Sequence, residues 1–267
     1  MRSVCFLSDF GYSDDFAGTC RGVIARLAPQ VSVIDITHGV ARGDVLGGAL
    51  SLRNTVRYLP EEAVHLAVVD PGVGGQRRAV VLRSGSGRLF VGPDNGLLVP
   101  ACETAGGIAE GWEITSRELF LEPVSATFHA RDVFAPVAAR LAAGRPPGDV
   151  GAPLALDSLT RLMMPEPQRT SEGLLATVLQ VDIFGNVALN LDAVDLADAG
   201  LGDEIDVVRG GERVRARRVL SFVGNAPDEL LVYIDSYGQA ALAINGESAA
   251  QLLGVAAGGA VELRRPS

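Results

Sequence analysis

The chain has 267 residues, 48% of them hydrophobic, and a formal net charge of −9. That is enough apolar material for a sizeable core and more than one domain. The acidic balance speaks against a nucleic-acid binder, which carries a basic face, and no apolar run approaches the roughly 20 residues that span a bilayer.

The N-terminal stretch MRSVCFLSDFG has too short an apolar run for a signal peptide, and Asp9 interrupts it. A cytoplasmic location is therefore expected. Within it VCFLSD reads as a short buried strand. Asp14 to Leu27 follows with Phe16, Cys20, Val23, Ile24 and Leu27 at helical spacing and Ser13 as its N-cap. VSVIDI is a second strand, Asp44 to Tyr58 a second helix, and AVHLAVV a third strand. Strands separated by helices predict an α/β domain with a largely parallel sheet flanked by helices. AVVLRS and RLFVGP, on either side of SGSG, predict a hairpin, and Asp132 to Ala143 a last helix ending at Gly144. Cys5, Cys20 and Cys102 are odd in number, widely spaced and in no metal-binding pattern, which predicts buried free thiols and no metal site.

The character then changes. AGRPPGDVGAP and MMPEPQRTSEG are rich in proline and glycine. Beyond Gly173 the segments LLATVLQVD, NVALNL, EIDVVRG, ERVRARRVLSF, LLVYID and AVELRR are short, strand-like and separated by turns, with little helix between them. This predicts an α/β N-terminal domain over 1–164, a linker over 165–172 and an all-β, barrel-like C-terminal domain over 173–267.

In parallel α/β sheets ligands bind beyond the carboxyl ends of the strands. That rule selects Asp9 with Phe10 and Gly11, Asp35 with Thr37 and His38, Asp70, the turn GPDNG (92–96), and SATFHARD (125–132). Asp9 also suits capping a helix or a turn, and Asp35 and His38 are better suited to bonding neighbouring loop backbone. Asp70 stands apart. It ends an apolar strand and opens PGVGGQRR, where glycines admit close approach. The loop lacks GK[ST] and no helix follows it, so it is not a phosphate loop.

LSDFGYSDDFAGTCRGVI, VIDITHGVARGDV, VHLAVVDPGVGGQRRAV, FVGPDNGLL, SATFHARDVFAPVAARLAAG and VDIFGNVALN occur in this order. Together they resemble the S-adenosyl-L-methionine hydroxide adenosyltransferase family, relatives of the fluorinating and chlorinating enzymes. The resemblance runs from Val4 to about Asn245. It implies hydrolysis of S-adenosyl-L-methionine to adenosine and L-methionine, by attack of water or hydroxide at C5′ of the ribose. The family's Asp-Arg-His triad matches Asp70, Arg77 and His129. Arg78 leaves open which of the two arginines faces the site, and Ala130 stands where the family usually has glycine.

The resemblance also implies substrate contacts. Asp9 matches the carboxylate that takes both ribose hydroxyls, and Asp14 a nearby acidic position. Asp182 matches a contact to the methionine amino group, Phe184 a ring stacked on adenine, and Asn186 a polar contact to the purine. Ser236 matches a contact to the methionine carboxylate, beside Tyr237 where the fluorinating enzyme has arginine. Asn245 matches an adenine-edge contact. No cofactor is expected, since S-adenosyl-L-methionine is the substrate. A homotrimer is expected, with each site between the N-terminal domain of one subunit and the C-terminal domain of the next. The competing readings are a halogenase and a non-catalytic S-adenosyl-L-methionine or adenosine binding protein. At Asp70 the halogenases carry tyrosine, and a binding protein would be expected to have lost part of the triad.

Overall fold

Three apolar runs form the heart of a six-stranded sheet in the computed structural model, which describes residues 3–266. They are β1 (Val4–Ser8), β2 (Val33–Thr37) and β3 (Val64–Val68), with β1 in the middle and parallel to both neighbours. Helix α1 (Phe16–Leu27) links β1 to β2, and α2 (Val45–Thr55) leads back towards β3. The hairpin strands β4 (Ala79–Ser84) and β5 (Leu89–Pro93) come next, then α3 (Val99–Thr104), β6 (Ile108–Glu113) and α4 (Ala135–Ala142). The sheet order is β2-β1-β3-β5-β4-β6; β5 is parallel to β3, and β4 is antiparallel to β5 and β6. The sheet is thus mixed, parallel through four strands and antiparallel beyond the hairpin.

β1 and β3 are buried along their whole length, as strands covered on both faces must be. Alternation sends Val4, Phe6, Leu66 and Val68 into one core with α1 and α4. Leu7, Ala67 and Val69 enter another with α2 and α3. Cys5, Cys20 and Cys102 are buried free thiols.

Two local expectations change. α1 begins at Phe16, so the N-cap position falls on Asp15, which makes no side-chain cap bond, and not on Ser13. Asp44, by contrast, caps α2 by accepting from the Gly47 amide. The last helix opens as a π-helical stretch over Ala130–Phe134 before α4.

The first compact unit ends at Leu162 and the second begins at Met163. The second contains β7 (Gln168–Arg169), β8 (Gly173–Val181), β9 (Val187–Asp192), α5 (Ala193–Asp198), β10 (Glu204–Arg209), β11 (Glu212–Arg218), β12 (Leu230–Ile234), β13 (Gln239–Ile244), α6 (Ala249–Leu253) and β14 (Ala260–Arg264). Seven strands in the order β14-β10-β11-β12-β13-β9-β8 close into a barrel through pairing of β14 with β8, and β7 adds a short pairing to β8. Leu174, Ala176 and Val178, with Val187, Leu189 and Leu191, fill its core at the two-residue period of a strand. Two short helices interrupt the β pattern. α5 is held by a capping box of Asp192 and Asp195, and α6 by Ser248.

Candidate active site

The path β1-α1-β2 runs to one side of β1, and β3 lies on the other, so the sheet order reverses between β1 and β3. Crevices beyond the carboxyl ends at such a reversal are where open α/β sheets take ligands. β1 delivers Asp9 there and β3 delivers Asp70; Ser8 and Val68 are direct partners in the ladder.

Asp70 is bound by one arginine. Arg77 Nε lies 3.0 Å from both carboxylate oxygens, and a terminal guanidinium nitrogen 2.6 Å from Oδ2. The same nitrogen donates to His129 Nδ1 at 2.8 Å. The Asp70 and Arg77 side chains are only 5% and 12% exposed, so the pair is shielded far more than a surface ion pair. Arg77 also lies over the Phe134 ring, 5.3 Å from its centroid. Arg78 turns away. It donates to Asp94 Oδ2, to Ser158 Oγ and to the Ser158 carbonyl. Asp94 also accepts from the Thr160 amide. The choice between the two arginines is thereby made: Arg77 carries the contacts to Asp70 and His129.

The loop glycines explain how these groups meet. Gly74 has φ +76°, and a Cβ there would lie 2.3 Å from the Ala126 carbonyl oxygen. Only glycine lets the Asp70 loop pack on the backbone of the segment that carries His129. That segment is clamped by Asp132, which accepts from the Ser125 amide. His129 sits at the N-terminus of the π-helical stretch, a form common at functional sites. Phe128, just before it, makes edge contacts with Phe10 and Phe16, so the Asp9 loop and the His129 loop share one aromatic cluster. Asn95 ties the GPDNG turn to the Val69 carbonyl, next to Asp70. Asp94, Asn95 and Asp132 thus support the rim; as short polar residues in a turn and a helix entry, they gave no separate sign of that task.

Arginine has donors only, so His129 Nδ1 accepts, and the neutral ring carries its proton on Nε2. Burial, and next the Arg77 charge, push the His129 pKa below its ordinary value, while Asp70 and Asp132 pull the other way. His129 is therefore neutral around pH 7.

Asp9 accepts from the Gly43 amide at 2.8 Å through Oδ2. Asp14 is exposed on the turn before α1. In the barrel unit, Asp182 Oδ1 accepts from the amides of Phe184 and Asn186, and Oδ2 accepts from the Asn186 side chain. Gly185, at φ +80°, packs against Ser248 where a Cβ would clash. The Phe184 ring is left 71% exposed at the tip. Ser236 and Tyr237 are exposed in the turn from β12 to β13, which Asp235 holds by accepting from the amides of Tyr237 and Gln239. Asn245 is exposed just after β13. Among the described residues no group of three or more His, Cys, Asp or Glu is arranged to hold a metal ion.

Two family models match. The SAM hydroxide adenosyltransferase N-terminal domain covers residues 4–151, and its C-terminal domain covers 176–262. The chain is 49% identical over 255 residues to an (R)-S-adenosyl-L-methionine hydrolase of Salinispora tropica, covering 96% of this chain and 95% of that one. It is 30% identical over 276 residues to a fluorinase of an Actinoplanes species, covering 91% and 90%. A crystal structure of a conserved protein from Thermotoga maritima superposes with a TM-score of 0.91 at 37% identity, covering 98% of this chain and all of that one. With both family models matched along a fold that carries the Asp-Arg-His network at its strand ends, the chain belongs to the SAM hydroxide adenosyltransferase family.

Proposed function

We propose that this protein hydrolyses S-adenosyl-L-methionine to adenosine and L-methionine. Water attacks C5′ of the ribose as the bond from C5′ to the sulfonium sulfur breaks, and the electron pair stays on methionine. The sulfonium charge disappears and one proton is released, so the equation balances without a cofactor. A neutral thioether needs no acid to leave, and the chemical demand falls on the nucleophile.

The half-buried Asp70–Arg77–His129 network carries this reading. Water, with a bulk pKa near 15.7, needs a base or a strong local field to react as hydroxide. In this network Asp70 is the proton acceptor. Arg77 holds the carboxylate in place. His129, with Nδ1 occupied, orients the water through its Nε2–H. In-line placement of the water at C5′ supplies much of the rate. An anion beside the Asp70 carboxylate would be repelled, which disfavours a halide as nucleophile. Asp9 takes the ribose diol; Asp14, Asp182, Phe184, Asn186, Ser236 and Asn245 serve as handles for the rest of the substrate. The exposed tip of the VDIFGN loop suits a homotrimer whose sites are completed by a neighbouring subunit, acting in the cytoplasm. No helix among the described residues is long and apolar enough to cross a membrane.

Chromatography of products from the purified protein and S-adenosyl-L-methionine tests this. Adenosine and methionine should form in equal amounts, with or without chloride. No turnover would leave a binding protein; 5′-chloro-5′-deoxyadenosine would make the chain a halogenase.

A further inference from the structure

Ser8, His38 and Asp35 line up like a hydrolytic triad outside the network just described. Ser8 Oγ is 2.7 Å from His38 Nδ1, and His38 Nε2 is 3.4 Å from Asp35 Oδ1. Ser8 is fully buried and His38 only 1% exposed, so Ser8 is no nucleophile. The ring nitrogens are also used in the opposite sense from a serine hydrolase, where Nε2 meets the serine. The arrangement performs a different task.

We infer that His38 is a positioning residue that holds the Asp9 carboxylate in register for the ribose diol, an inference that rests on the diol reading of Asp9. Contacts of His38 and Ser8 converge on the residues flanking Asp9. Ser8 Oγ accepts from the Phe10 amide at 3.4 Å, which leaves its own hydrogen for His38 Nδ1 and places the ring proton on Nε2, towards Asp35. The Gly11 amide donates to the His38 carbonyl at 2.7 Å. The His38 amide donates to the Tyr12 hydroxyl at 3.1 Å. The Phe6 ring packs edge-on against the imidazole with centroids 4.6 Å apart, and the Tyr12 ring at 5.5 Å. Asp35 is fixed in turn by Arg21 of α1 at 3.1 Å. The imidazole thus holds Ser8 directly, Phe10 through Ser8 Oγ, and the rings of Phe6 and Tyr12, while the His38 backbone ties Gly11 and the Tyr12 hydroxyl; Asp9 itself is held by Gly43, further along the His38 loop. A carboxylate that reads two vicinal hydroxyls must be held within about 0.5 Å of its working place, and these ties supply that constraint.

Titration calorimetry with adenosine and 2′,3′-dideoxyadenosine tests the inference, because only the first presents the diol. His38→Ala should weaken adenosine about tenfold, the scale of one net hydrogen bond, and leave dideoxyadenosine unchanged. With S-adenosyl-L-methionine, KM should rise while kcat is kept. His38→Asn, whose amide reaches the place of Nδ1, should recover most of the loss. Equal weakening of both ligands would reveal general damage to the fold, and unchanged adenosine affinity would show that Asp9 needs no such hold; either result overturns the inference. Asp9→Ala is the reference: it should abolish the preference for adenosine, and a preference that survived it would refute the diol reading of Asp9 itself.

Discussion

The rim of the α/β unit and the VDIFGN loop of the barrel unit both present polar groups, but they are built in opposite ways. In the first, side chains hold one another: Arg77 joins Asp70 to His129 in a continuous, partly buried network, and removing Arg77 leaves both of the others without their partner. In the second, the backbone does the holding. Asp182 ties its own loop, Gly185 makes the turn, and Phe184 is offered to solvent. The first design suits a field that acts on a reacting atom; the second suits a rigid handle that meets a flat, uncharged ring. Cutting the Asp70–Arg77–His129 network should therefore cost chemistry, and cutting the VDIFGN loop should cost affinity.

The sharpest way to break that division is to cut the network. Asp70→Asn and Arg77→Ala should each lower kcat by about 10²–10⁴-fold, the range of a lost acid–base group, with KM little changed. Their losses should not add in the double variant, because the groups act as a unit. His129→Gln, which can place an N–H near Nε2, should keep far more activity than His129→Ala. Retained activity in Asp70→Asn would move the proton acceptor elsewhere.

On the other side, Phe184→Ala should weaken adenosine by about 1–3 kcal/mol, as for base stacking on an aromatic ring, with kcat close to wild type. Calorimetry and steady-state kinetics measure the two halves. A fall in kcat with unchanged affinity would erase the contrast between the regions.

A smaller effect sharpens the comparison in stability. All three histidines lie in the α/β unit. His65 on β3 is fully buried and stacked on Phe90, with no hydrogen-bond partner for either ring nitrogen among the described residues. Burial, then the Arg88 charge, lower its pKa to about 4. The unfolded chain takes up this proton from pH 6.5 downward and the folded one does not. Stability is thus complete above pH 6.5 and lost as pH falls towards 4, by about 3 kcal/mol from this group. Hydrogen exchange at pH 7 and pH 4.5 should show the α/β sheet losing protection before the barrel, and His65→Phe should narrow the gap. Equal losses in both units would remove His65 as the cause.

Much of this contrast was legible in the residues. Continuous apolar runs mark β1 and β3, because strands covered on both faces need no alternation. Asp44 marks the start of α2. The misses have physical causes. QAALAI forms β13, but alanines have little β preference. IAEGWE carries a glycine in mid-strand, which hid β6. The helices α5 and α6 span six and five residues, too short to show a period. In the rim, the residue types and strand ends were readable, but the direction of Arg77 was not. Neighbouring side chains point opposite ways in extended chain, and it is Asp94, sixteen residues on, that claims Arg78. By its place in the chain His38 suits bonding within its own loop; only the fold brings its ring onto Ser8, next to Asp9.

In the proposed reaction water, and nothing else, reaches C5′ beside the Asp70 carboxylate. The most direct test runs the reaction in oxygen-18 water and reads the products by mass spectrometry. The label should appear on the 5′-oxygen of adenosine, with methionine unlabelled, and a stereospecifically deuterated substrate should show inversion at C5′. Adenosine without label, or retention at C5′, would contradict direct attack by water.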